Sequence, residues 1–154
     1  RMFLDKKLTD AGFFGMGPQE SYRDKHRAAS HGLYRLKVSD MHEDYIRPQE
    51  NGSHYDCSYV QIGSLRENGI KTDMSAHSIT VTSAVPFSMN ALPYTAEELT
   101  VATHNYELPE SDKSVLCIDY RQNGIGSNSC GPELDEKYRF DEDEWKFGFT
   151  MHVK

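Results

Sequence analysis

The sequence predicts an all-β protein, mostly antiparallel strands with one short helix, arranged as a sandwich or barrel. Two observations carry this expectation. Four segments show the period-2 alternation or β-branched enrichment of strands, with turn-forming clusters between them. Only one segment has a strong helix start signal. At 154 residues the chain is long enough for one sizeable core and too short for two, so residues 1–154 are expected to form a single domain.

The first strand-like stretch, "SHYDCSYVQIG" (Ser53 to Gly63), alternates Tyr55, Cys57 and Tyr59 against His54, Asp56 and Ser58. The next, "HSITVTSAV" (His77 to Val85), is rich in β-branched residues. "ENG" at Glu50 to Gly52 and at Glu67 to Gly69 supplies hairpin or loop chemistry around them. "SVLCIDYRQ" (Ser114 to Gln122) reads as a third strand, with Val115 and Cys117 on one face and Leu116, Ile118 and Tyr120 on the other. The clearest alternation closes the chain. Trp145, Phe147, Phe149, Met151 and Val153 interleave with Lys146, Gly148, Thr150, His152 and Lys154, which predicts a strand with one buried and one wet face.

The helix is "YTAEELTVATHN". Thr95 is its N-cap and Glu98 completes a capping box, with acids in the first turn where the helix dipole favours them. Leu99 and Ala102 then share a side. "SYRDKHRAASHG" (Ser21 to Gly32) holds at most one helical turn, because its pattern is poorly amphipathic.

Composition excludes several classes. Seventeen basic against 24 acidic residues give a net charge of −7, and no basic stripe suited to nucleic acid is present. No apolar run approaches the roughly 18 residues of a membrane span, and "RMFLDKKLTD" has no apolar signal-peptide core. Three cysteines without CxxC spacing fit neither a disulfide framework nor a structural zinc site. A reducing, cytoplasmic location is the expectation, with an upstream export signal left open.

"GIGSNSCGP" (Gly124 to Pro132) is the most unusual stretch, with three glycines and a proline around Cys130. A cysteine nucleophile needs a base beside it, and none of the seven histidines is tied to Cys130 by spacing. The loop lacks the third glycine of GxGxxG and any Walker lysine, so it is no phosphate cradle. "HED" (His42 to Asp44), "SHYD" (Ser53 to Asp56) and "DEDE" (Asp141 to Glu144) contain metal-ligand types, but solvated or hydrogen-bonded polar groups are the preferred reading of each. No pair of carboxylates announces a glycosidase by its spacing.

Four ordered stretches carry a resemblance. "FFGMGPQESYRDKHRAASHGLY" (Phe13 to Tyr34), "MHEDYIRPQENGSHYDCSYV" (Met41 to Val60), "FSMNALPYTAEELTVATHNYEL" (Phe87 to Leu108) and "LCIDYRQNGIGSNSCGPEL" (Leu116 to Leu134) resemble the C-terminal small-chain domain of glycoside hydrolase family 2 β-galactosidases. The likeness covers essentially the whole chain from Phe13, and Arg1 to Gly12 resemble the tail of a preceding strand.

The resemblance implies an antiparallel supersandwich similar to galactose mutarotases, of which this chain is about the C-terminal half. It implies a part in retaining hydrolysis of terminal β-galactosides such as lactose. The catalytic glutamates would lie on a separate TIM barrel, so no catalytic residue is expected here. The family's magnesium and sodium ions would likewise sit on other domains, and no metal ligand or cofactor is carried over. The implied partners are the remaining domains of the parent enzyme, above all the barrel, together with the galactoside and further copies of the whole enzyme.

In the family, the loop matching Gly124 to Pro132 reaches the mouth of the active site, where some members present a tryptophan. Here Cys130 stands at about that place. Asn128, Ser129 and Cys130 are therefore the candidate substrate-binding rim, the alternative being a tight loop whose cysteine simply packs. A second function of a different class is a stand-alone carbohydrate-binding or small-subunit assembly module, with Tyr55 and Tyr59 as candidate sugar-facing aromatics, although core or sheet packing is the preferred reading of both. A mutarotase would need a facing His and Glu, and the sequence pairs none.

Overall fold

The computed structural model describes residues 1–64, 66–68, 71–73, 77–109 and 111–154. Their strands form a seven-stranded antiparallel sheet and a two-stranded ribbon, beside a single short α-helix, so the chain is all-β as expected. The large sheet contains β1 (Met2–Asp5), β2 (Asp10–Gly17), β3 (Ser30–Lys37), β4 (His54–Gly63), β7 (Ser78–Leu92), β8 (Lys113–Asp119) and β9 (Thr150–Val153). The ribbon is β5 (Arg66–Asn68) on β6 (Lys71–Asp73), and the helix is α1 (Ala96–Val101). Strand order is β1-β8-β7-β4-β2-β3, with β9 also on β7.

β7 organises the sheet. β4 pairs along one of its edges from Ser78 to Met89, with two register shifts around Cys57. Two strands share the other edge, β9 against Ile79 to Thr82 and β8 against Ser88 to Leu92. Residues 120–149 leave the sheet after β8 and rejoin it at β9, spanning the gap between these two pairings. The candidate loop is part of that excursion.

Register explains the core. Tyr34, Phe13, Val60, Val81 and Met151 form one row across the sheet, and Leu36, Ala11, Ile62, Ile79 and Val153 form the next. Ala11, Phe13, Val60, Ile62 and Val81 are completely buried. Full burial of such aliphatic and aromatic side chains stabilises by about 1.5–3 kcal/mol each. A 3-10 turn at Val38–Met41 packs against β3 and β7 and buries Val38 and Met41 in the same cluster.

The capping box is formed. The Thr95 hydroxyl accepts from Glu98 N at 3.1 Å, and the Glu98 carboxylate accepts from Thr95 N at 2.7 Å. Leu99 and Ala102 are both buried, as their spacing suggests.

Several expectations need correction. The closing strand is Thr150–Val153 alone, all of it exposed, so the alternation from Trp145 does not mark a nine-residue strand, and of its five apolar residues Phe147 alone is partly buried against the core. Pro86 offers no N–H, and Val85 donates its own to the Ser83 hydroxyl, so the ladder on β7 stops before it could run back through Phe147. His54 is not on an exposed strand edge, because it is buried against Phe13, whereas Asp56 stays half-exposed beside His31, beyond the part of β4 that pairs with β2. The "SYRDKHRAASHG" stretch forms a Tyr22–Lys25 bridge and the start of β3, not a helical turn. Arg1 to Gly12 contain all of β1 and the beginning of β2. At the second "ENG", Asn68 pairs with Lys71, while Gly69 lies outside the described residues.

Candidate functional site

The loop after β8 takes its shape from its own sequence first. Gly124 adopts φ 111° and Asn128 φ 63°, left-handed conformations that glycine and asparagine tolerate best. Asn128 N donates to Pro132 O at 3.1 Å and Ser129 N to Gly126 O at 3.3 Å, which closes a compact turn. Asn128, Ser129 and Cys130 are exposed on it. Cys57 and Cys117 are buried in β4 and β8, and burial pushes both thiols up from their ordinary pKa.

A distant residue seats this loop. The Asp24 carboxylate accepts from Ile125 N at 3.1 Å, from Gly126 N and Ser127 N at 3.0 Å each, and from the Ser127 hydroxyl at 2.9 Å. Partial burial works against its ionisation, but these bonds outweigh that and hold the carboxyl below its ordinary range. The neighbouring Arg23 donates from Nη1 to Tyr138 O at 2.6 Å, so the returning arm is gripped too.

Beneath these contacts Glu20 forms a buried anion. Oε2 accepts from Tyr22 OH at 3.0 Å and from Gly52 N at 2.9 Å, while Oε1 accepts from Lys25 Nζ and Tyr45 OH. Burial alone would raise its pKa, yet the bonds from Lys25, Tyr45 and Gly52, with the Lys25 charge, lower it. Gly52 has φ 68°, and a Cβ there would meet Met41 O at 2.2 Å, so this close approach requires glycine. The first "ENG" is thus a Glu20-binding turn. A cleft of about 1010 Å³ opens above, lined by Arg23, Asp24, Lys25, Tyr55, Ser127 and Pro132 among others. Asn128, Ser129 and Cys130 lie outside its wall.

The other candidates serve structure. His54 is 1% exposed and stacks near Phe13 at 4.1 Å between ring centroids. Its Nδ1 faces Met16 O at 3.2 Å and so carries the proton, and burial lowers its pKa to about 4. His42 accepts at Nδ1 from the Asn51 amide at 3.1 Å. Asp56 sits by His31, and Glu142 of the acidic run pairs with Arg121. Tyr59 bonds Gln61, whereas Tyr55 does face the cleft. Among the described residues no group of three or more His, Cys, Asp or Glu side chains is placed to hold a metal ion.

Comparison with known proteins gives this geometry its context. Residues 1–151 match the model of the family described as beta galactosidase small chain. The chain belongs to that family. A "Beta-galactosidase" of Actinobacillus pleuropneumoniae is 47% identical over 151 residues, which is 98% of this chain and 14% of the relative. One from Staphylococcus xylosus is 40% identical over 148 residues, 96% of this chain and 14% of that protein. One from Arthrobacter sp. (strain B7) is 32% identical over 134 residues, covering 87% and 13%. The chain thus spans about one seventh of the length of the curated relatives it matches.

For this small-chain family member, sequence reasoning picked out the exposed loop but missed Asp24, Arg23 and Glu20. All three stand in the quoted "GPQESYRDK" stretch. The Gly17–Pro18 pair is a turn signal there, but it does not point to a partner some hundred residues away.

Proposed function

We propose that this chain is the non-catalytic C-terminal β portion, about the C-terminal half of the small-chain domain, of a retaining glycoside hydrolase family 2 β-galactosidase. The catalytic carboxylate pair would come from a separate TIM barrel, one acting as acid and base and the other as nucleophile. The small-chain loop at Gly124 to Pro132 would complete the mouth of that site. Asn128 and Ser129 would hydrogen-bond the galactoside or its water, and Cys130 would add a small, weakly polar wall. A thiol offers far less stacking area than an indole, so affinity here would rest on hydrogen bonds more than on ring stacking. The family's magnesium and sodium would sit on other domains of the parent enzyme, and no residue of this chain is assigned to them.

The observation that carries the reading is the match itself. Similarity runs over 98% of this chain yet over only 14% of a β-galactosidase, and the chain's exposed loop is held in a defined shape. The experiment is a nitrophenyl β-galactoside assay on the highly purified chain. No nitrophenol should be released, and release that survives every purification step contradicts the proposal.

The second reading, a carbohydrate-binding or assembly module, has one observation in its favour. Tyr120 stacks on Trp145 at 5.7 Å between centroids, and Trp145 is 60% exposed, so an aromatic platform is available. Calorimetric titration of the isolated chain with galactosides separates the two. Saturable heat favours the module, and none favours the rim.

A further inference from the structure

We infer that Asp24 is a positioning residue for the galactoside: its carboxylate holds the 124–132 loop in one shape, so that Asn128, Ser129 and Cys130 meet the substrate from a fixed backbone. The inference rests on the rim reading above. Asp24 lies between β2 and β3, 101 to 103 residues before the groups it binds. Three successive amides, of Ile125, Gly126 and Ser127, converge on its two oxygens, with the Ser127 hydroxyl as a fourth donor. Such a run of N–H groups around an anion is a nest, with the anion supplied by the protein itself.

The bonds fix the peptide planes immediately before Asn128. From there the shape passes through the left-handed Asn128 and its bond to Pro132 O into Ser129 and Cys130. Gly124 shows how closely the loop is seated. A Cβ on it would lie 2.4 Å from the Asp24 carboxyl carbon, so no side chain fits between loop and anion. The lowered pKa of Asp24 keeps the anion present at neutral pH. Asparagine in its place would turn an NH₂ group toward at least one donor, and the nest would lose its match.

The effect of this anchor is local. Asp24 is exposed, as are most residues from 126 to 138, so the anchor adds little to the core. Its consequence is preorganisation. A loop already ordered gives up less entropy when substrate binds.

The test uses the full-length enzyme carrying this chain, in four forms: wild type, Asp24→Asn, Ser127→Ala and Gly124→Ala. Hydrogen exchange is followed at the peptide spanning 123–132, and KM and kcat are measured on a nitrophenyl β-galactoside. For Asp24→Asn, exchange at 125–127 should rise at least about tenfold and KM about five- to tenfold, with kcat within about twofold, the pattern of lost uniform binding. Ser127→Ala removes one of the four bonds and should move both readouts less, in the same direction. Gly124→Ala should resemble Asp24→Asn, and combining the two should add little, because both lift the loop off the same seat.

Three outcomes overturn the inference and separate it from the reading beneath it. Faster exchange with an unchanged KM means that the loop does not touch substrate, and the rim reading falls too. Unchanged exchange in both Asp24→Asn and Ser127→Ala means that Asp24 does not hold the loop, while the rim reading stands on its own tests at Cys130. Faster exchange throughout β4 and β7 means that Asp24 supports the fold at large, not the loop.

Discussion

Replacing Glu20 should cost more stability than any surface charge of this chain. In Glu20→Ala two buried donors lose their acceptor, Gly52 N–H and Tyr22 O–H. Each buried unsatisfied donor costs about 1–3 kcal/mol, so together they account for roughly 2–6 kcal/mol. Lys25 is half exposed and water takes over its bond, so its share stays below about 1 kcal/mol. An overall loss of about 4 kcal/mol is expected, a large part of the ~5–15 kcal/mol available to a domain. Glu20→Gln separates this cause from simple loss of volume. It keeps the shape but points an NH₂ group at donors, and should cost about 2–4 kcal/mol on the same reasoning.

The assay is urea unfolding by far-UV circular dichroism, read as a shift in midpoint at constant slope. The pH dependence supplies a further check. The folded pKa of Glu20 lies below its ordinary 4.5, so its stabilising effect is fully present above that value and lost as pH falls through the folded one. The gap between wild type and Glu20→Gln should therefore close in acid. A Glu20→Gln chain within 1 kcal/mol of wild type at neutral pH would refute the anion's role.

Three other outcomes follow from the same structure. His54 titrates near 4 in the fold against 6.5 ordinarily, so acidification between these values should remove about 3 kcal/mol, and His54→Gln should flatten that part of the thermal-melt profile. Gly52→Ala forces a left-handed alanine and a contact with Met41 O, and should cost about 3 kcal/mol in urea titration; a cost near zero would show that the turn relaxes freely. In the full-length enzyme Cys130→Trp should lower KM for a galactoside about fivefold at unchanged melting temperature, the ~1 kcal/mol of an added aromatic contact, while Cys130→Ala should leave both nearly unaltered. A Cys130→Ala enzyme unfolding several kcal/mol more easily would place the thiol in the packing instead.

What the sequence revealed follows the range of the forces involved. The Thr95–Glu98 capping box is completed within four residues, so it was legible at once. The second half of β7 was not, because Pro86 breaks the pattern in a strand that nonetheless continues to Leu92. β2 was hidden by its glycines at 12, 15 and 17, which read as loop although all three are buried in the sheet. The closing alternation misled for the opposite reason. Met151 and Val153 do continue the core rows, but at a sheet edge where both stay largely exposed. In the site, Cys130 was found through composition and likeness, and its exposure is visible in the structure. Asp24 was not found, since an acceptor a hundred residues from its donors leaves no trace in spacing.

The most direct test of the rim is covalent. A β-galactoside carrying a chloroacetamide on its aglycone is incubated with the full-length enzyme, its catalytic nucleophile disabled so that the glycoside survives. The Cys130 thiolate should displace chloride to form a thioether, seen by mass spectrometry on the peptide containing Cys130, and excess lactose should prevent it. Cys57 and Cys117, buried in their strands, should remain unmodified. Cys130 left unlabelled, or labelled equally with and without lactose, would contradict the claim that this loop borders the galactoside.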